Sequence, residues 1–126
     1  MTRSVAIGKF LAFLMAAFSP AALAAGFLSA FDDVPLMDGL STNQPLVFDS
    51  ESMRFVEQFA AARKDAPIEV SQFRKFYRES LPSLGWKLVK NESKLLVFQR
   101  EGEALSIEIK SENPLIARFS LAPLEK

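Results

Sequence analysis

Apolar and polar residues alternate strictly in two successive runs near the C-terminal end of the chain. Leu105, Ile107 and Ile109 share one face of the first run, with Ser106, Glu108 and Lys110 on the other. Leu115, Ala117, Phe119 and Leu121 share one face of the second, opposed by Arg118 and Ser120. A side-chain period of two marks a strand. Two such runs joined by Ser111-Glu112-Asn113-Pro114 predict antiparallel strands with one dry and one wet face. Two shorter runs precede them. Trp86 to Lys90 ends at Asn91-Glu92-Ser93, and Lys94 to Arg100 ends at Glu101-Gly102-Glu103. A four-stranded meander from Trp86 to Ala122 is therefore expected.

The period changes upstream. Between Ile68 and Leu84 the apolar residues Val70, Phe73, Tyr77, Leu81 and Leu84 follow at steps of three and four, widened by Phe76, with Arg74, Lys75, Arg78 and Glu79 opposite. This spacing predicts an amphipathic helix. Asp65 or Pro67 is expected to open it, Pro82 to tighten its last turn, and Gly85 to close it in a left-handed conformation. Leu46-Val47-Phe48-Asp49 reads as a strand. Met53 to Ala62 fits both periods, and the strand reading, with Asp49-Ser50-Glu51-Ser52 as a hairpin loop, is preferred because the helix needs a sheet to pack on. The expected architecture is α+β: a single amphipathic helix packed on one face of a curled antiparallel sheet, in the order β(β)-α-β-β-β-β. The expected core is Phe48, Phe55, Val70, Phe73, Tyr77, Leu81, Trp86, Leu88, Phe98, Leu105, Ile107, Ile109, Phe119 and Leu121.

Residues 1–24 carry a different pattern. Arg3 and Lys9 precede an apolar run from Phe10 to Phe18, Ser19-Pro20 breaks it, and Ala22-Leu23-Ala24 supplies small residues at two alternate positions. This is the layout of a secretory signal peptide, with cleavage expected after Ala24 and after Ala25 as the second choice. The alternative, a retained anchor, is disfavoured because Lys9 and Pro20 lie inside the apolar stretch. No Cys follows, which excludes a lipoprotein signal. Residues 25–45 hold Pro35, Pro45, Asp38-Gly39 and Ser41-Thr42-Asn43, all breaker or turn signals, yet Phe27, Leu28, Phe31, Val34, Leu36, Met37 and Leu40 are spread among them. Such a segment either covers the core of its own domain or docks a partner through Phe31, Leu36, Met37 and Leu40. The division expected is thus signal segment 1–24, irregular apolar arm 25–45 and α+β domain 46–126.

Composition removes chemistry. The 126 residues include no His and no Cys. That excludes Ser-His-Asp and Cys-His nucleophile pairs, disulfides and Cys/His zinc sites. The 15 basic and 15 acidic side chains show no basic excess of the kind a nucleic-acid binder needs. Loss of Arg3 and Lys9 with the signal leaves 13 basic against 15 acidic. Asp32, Asp33 and Asp38 lie near one turn but lack the spacing of a calcium loop, and read as acidic turn polarity. Tyr77, the single tyrosine, reads as a buried phenol with a hydrogen-bond partner. Glu101 and Glu103 flank Gly102 in a hairpin and read as turn residues. Lys87, Lys90, Lys94, Lys110 and Arg118 form a basic set, but Glu92, Glu108 and Glu112 interleave with them, so cross-strand ion pairs are expected rather than a positive patch. No cofactor is implied.

The run Phe76-Tyr77-Arg78-Glu79-Ser80-Leu81-Pro82-Ser83-Leu84-Gly85-Trp86, the later Arg100-Glu101-Gly102-Glu103, and Phe31-Asp32-Asp33-Val34-Pro35-Leu36-Met37-Asp38-Gly39-Leu40 in the arm together resemble a group of small exported bacterial proteins. These read FYR-x-x-LP-x-LGW, REGE and D-x-P-L-M-x-G-L over most of the mature length. The resemblance implies export, a helix-on-sheet domain and a strand at Met53 to Ala62. It implies no particular reaction. The function expected is a small periplasmic, non-enzymatic interaction or assembly module. It would bind an envelope protein through the arm and a sheet edge, either Leu46 to Asp49 or Leu115 to Ala122. It would bind no nucleic acid, and would meet the membrane only through the signal segment. The alternative is a binder of a small amphiphile or lipid held between helix and sheet.

Overall fold

The structure, a computed structural model, describes residues 24–31, 33–50 and 53–124. The expected signal segment lies outside these residues except for Ala24. Nine strands and one α-helix follow in the described chain. They are β1 (Ala24–Phe27), β2 (Pro35–Met37), β3 (Leu40–Thr42), β4 (Leu46–Asp49), β5 (Arg54–Ala62), α1 (Val70–Ser80), β6 (Lys87–Glu92), β7 (Leu95–Arg100), β8 (Glu103–Glu112) and β9 (Leu115–Pro123). The fold is α+β with an antiparallel sheet. The arm is not irregular: it supplies β1, β2 and β3.

The main sheet runs β3-β5-β9-β8-β7-β6, and β4 pairs with β5 on the same side as β3. One edge of the sheet is thus made of two short strands in line, β3 against Ala60–Ala62 and β4 against Arg54–Glu57. β9, one of the two candidates for an edge, is instead central, paired to β5 on one side and β8 on the other. Its strict alternation fits that place, because Leu115, Ala117, Phe119 and Leu121 are all buried on one face. β5 is a strand along its whole length, with Val56, Gln58, Ala60 and Ala62 buried and the residues between them partly exposed.

The helix begins at Val70, later than Asp65 or Pro67. Ala66 N–H instead bonds to Arg63 O in a turn. The helix proper opens where Glu69 N–H donates to Gln72 Oε1 at 3.1 Å, satisfying an amide that the first turn leaves without a partner. Phe73, Phe76 and Tyr77 form its buried stripe. Pro82 then starts a 3-10 turn, Pro82–Leu84, closed by Gly85 at φ 94°. An L side chain resists that φ, and an added Cβ would lie 3.2 Å from Arg100 Cδ. Trp86 N–H bonds back to Leu81 O at 3.2 Å, so the chain reverses and drops the indole into the core.

The centre of the core is aromatic. Phe119 on β9 meets Tyr77 at 5.2 Å and Phe73 at 6.1 Å from the helix, and Phe31 at 6.5 Å from the arm, between ring centroids. Edge-to-face contacts at these separations add to the burial of each ring. Leu28, Val34, Met37 and Leu40 extend the core into the arm. Two residues expected in the core are outside it: Phe48 is 69% exposed and Phe55 44%.

Candidate docking edge

The β4–β5 hairpin carries five of the eight exposed large apolar side chains among the described residues. Leu46, Val47, Phe48, Met53 and Phe55 are all exposed, and β4 has no buried residue. The reason is geometric. Phe48 stands opposite Phe55 and Leu46 opposite Glu57. These four share the outer face of β5, away from the buried Val56 and Gln58. Val47, opposite Val56, shares the inner face but lies at the end of the sheet and is still half exposed. Phe48, Asp49, Ser50 and Phe55 line a cleft of about 360 Å³.

The hydrogen-bond phase of the hairpin can be read from its end. Ser50 N–H donates to Met53 O at 2.9 Å and Met53 N–H to Ser50 O at 3.3 Å, a pair that exchanges both bonds. Such pairs alternate with non-bonded pairs along an antiparallel ladder. Phe48 and Leu46 therefore bond inward to β5, while Val47 and Asp49 turn their N–H and C=O groups away from it. Pro45, which has no N–H, separates β4 from Asn43, which pairs with Phe59 through both backbone and side chain.

The opposite edge is built differently. β6 exposes Lys87, Lys90 and Glu92, and its register with β7 shifts between Leu88 and Lys90 so that Val89 forms a bulge. Charged side chains and a bulge are the usual means of blocking strand addition. β4 has neither, apart from Asp49 at its end. This asymmetry, not the presence of an edge as such, makes β4 the candidate.

The arm residues expected to dock a partner are placed elsewhere. Phe31, Met37 and Leu40 are 1%, 5% and 8% exposed, and Leu36 is partly buried against the same core. In this fold those side chains cover the protein's own interior. Three side chains, Tyr77, Gln58 and Arg100, hold them there. Tyr77 Oη donates to Pro35 O at 2.7 Å and accepts from Met37 N–H at 3.2 Å. Gln58 Nε2 donates to Ser29 Oγ at 3.0 Å and to Asn43 O at 2.9 Å. Arg100 pairs with Asp33, donates to Leu84 O at 2.9 Å and stacks on Trp86 at 4.4 Å.

The remaining sequence candidates are also in structural use. Asp33 is taken by Arg100, Asp38 is exposed, and Asp32 lies outside the described residues. Glu103 binds Arg54 through both oxygens, at 3.1 and 3.4 Å, while Glu101 is exposed in its turn. Burial pushes the Tyr77 phenol well above its usual range, against a smaller lowering by the Met37 N–H. Part of the basic set pairs across strands, Arg118 with Glu57 and Glu108 and Lys94 with Glu112, whereas Lys90 with Glu92 and Lys110 with Glu108 pair along their own strands. Between helix and sheet, where an amphiphile would sit, the rings of Phe31, Phe73, Tyr77 and Phe119 meet edge to face.

What fold and edge define is an α+β protein whose sheet, among the described residues, has one blocked and one open edge. The chain matches no family model, no curated protein and no solved structure. Its functional reading therefore rests on its own geometry.

Proposed function

We propose that this protein is a small exported, non-enzymatic interaction module that takes an envelope protein partner on the β4 edge of its sheet. The observation that carries the reading is the contrast between the two edges: Phe48 at 69% and Leu46 at 60% exposure on β4, against exposed lysines and a bulge on β6. A partner strand added to β4 gains main-chain hydrogen bonds from Val47 and Asp49 and apolar contact with Phe48. The arm serves as structure, closing the core from which the hairpin projects. A non-enzymatic role is supported by the structural engagement of Tyr77, Asp33 and Glu103. Export is supported by the Met1–Ala24 pattern. Among the described residues no helix is long and apolar enough to cross a membrane.

The test combines fractionation with site-specific photocrosslinking of the full-length chain in a bacterial host. A crosslinker at position 48 is expected to yield a discrete protein adduct in the periplasmic fraction, and one at position 89 none. N-terminal sequencing is expected to begin at Ala25. Equal adducts from both edges would remove β4 from the reading, and a cytosolic chain starting at Met1 would remove export.

A further inference from the structure

Strand addition to β4 has a charge as well as a shape. Arg54, opposite Asp49, is turned to Glu103, whose two oxygens it binds. Glu57, further along the hairpin, is held by Arg118 at 3.3 Å. Asp49 is exposed and has no ion-pair partner among the described residues. Among the described residues the uncompensated charge at this edge is therefore the carboxylate of Asp49. A strand laid against β4 alternates its side chains between two faces. One set meets Leu46 and Phe48, and the other meets Val47 and Asp49.

We propose that the β4 edge recognises an extended partner segment in which apolar residues face Leu46 and Phe48 and a lysine or arginine faces Asp49. This rests on the edge reading given above and adds the chemistry of the occupant. Two other occupants fit less well. A stable dimer uses roughly 20–30 residues a side, whereas β4 offers four residues and one hairpin. An anionic lipid surface attracts basic segments, and this hairpin exposes carboxylate.

The test is a chemical-shift titration of the ¹⁵N-labelled protein, as purified from a bacterial host, with two synthetic octapeptides of alternating sequence, Val-Lys and Val-Glu. The Val-Lys peptide is expected to bind more tightly, by up to about fivefold at low ionic strength, with shifts centred on Val47 and Asp49. Asp49→Lys is expected to reverse the preference, and Val47→Pro, which removes an outward N–H, to abolish binding of both peptides. Thermal melts confirm that each variant is folded. Asp49→Lys, at an exposed site, keeps the test decisive should Val47→Pro fail to fold. Equal binding of both peptides at β4 would overturn the charge proposal and leave the edge reading standing. Binding of neither peptide, or shifts away from β4, would overturn both. A sedimenting dimer that Asp49→Lys disrupts would assign the edge to a second copy and overturn the proposal. Val-Lys binding lost in favour of anionic phosphatidylglycerol vesicles, with shifts at Phe48 and Phe55, would assign it to a membrane and overturn it equally.

Discussion

Tyr77→Phe removes one oxygen atom and nothing else. The ring keeps its contacts with Phe73 at 5.0 Å, Phe76 at 4.8 Å and Phe119 at 5.2 Å, so no cavity opens. What is lost is a pair of hydrogen bonds in a fully buried site, to Pro35 O at 2.7 Å and from Met37 N–H at 3.2 Å. Each buried backbone group deprived of its partner costs about 1–3 kcal/mol, so the variant should lose about 2–4 kcal/mol. For a domain of this size that lowers the melting temperature by about 10–25 °C. The single tryptophan, Trp86, is 2% exposed and reports unfolding directly through its emission. Denaturant titration should show a lower midpoint with an unchanged slope, since the surface exposed on unfolding is the same. Hydrogen exchange at the Met37 amide should accelerate more than at Ile107, in the centre of the sheet. A loss below about 0.5 kcal/mol, or uniform acceleration at both amides, would refute the claim that the phenol latches the arm to the helix.

Other outcomes follow from the same geometry. Stability should fall above pH 10, because the unfolded phenol ionises near 10.0 while burial keeps the native one protonated. The slope attributable to this group is about 1.4 kcal/mol per pH unit, with its full contribution present below pH 10. Denaturation midpoints from pH 9 to 11 should show it as a difference between the wild type and Tyr77→Phe, and parallel curves would contradict it. Arg100→Lys should cost about 1–2 kcal/mol, since an ammonium lacks the planar fork that lies over Trp86 while also serving Asp33 and Leu84 O. A stability equal to wild type would show the guanidinium to be dispensable. Phe48→Ser should change stability by less than about 0.5 kcal/mol, whereas Phe119→Ala should cost about 3–5 kcal/mol. Similar losses in both would place Phe48 in the core after all.

Deleting the arm is a poor probe of docking for the same structural reasons. Phe31, Val34 and Met37 are core residues, and removing them exposes Phe119 and the helix stripe. Any partner lost from such a variant would report unfolding. Point changes on β4 leave the core intact and separate the two effects.

The local chemistry of the chain determined a good deal. Alternation from Leu105 to Leu121 specified antiparallel strands and their buried faces, since a period of two leaves no other way to bury one set of side chains. The stripe Phe73, Phe76, Tyr77 specified the helix face, and Leu81-Pro82-Ser83-Leu84-Gly85-Trp86 specified its abrupt end. Helix initiation was misplaced because the Glu69–Gln72 contact is only one of several equivalent starts in sequence. Two decisions belonged to the tertiary structure alone. The arm reads as a cover or, second, as a docking segment, and local sequence alone does not decide between them. What settles its position is Tyr77, some forty residues away, meeting the backbone at Pro35 and Met37. Phe48 and Phe55 look like core residues because hydrophobicity says only that burial would be favourable, not that anything lies opposite to bury against. Strand order put their hairpin at the open edge of the sheet, with the helix and arm over the other face. The same order carried Leu115–Pro123 to the centre and Lys87–Glu92 to the blocked edge, a matter of which strands meet, which no run of residues encodes locally.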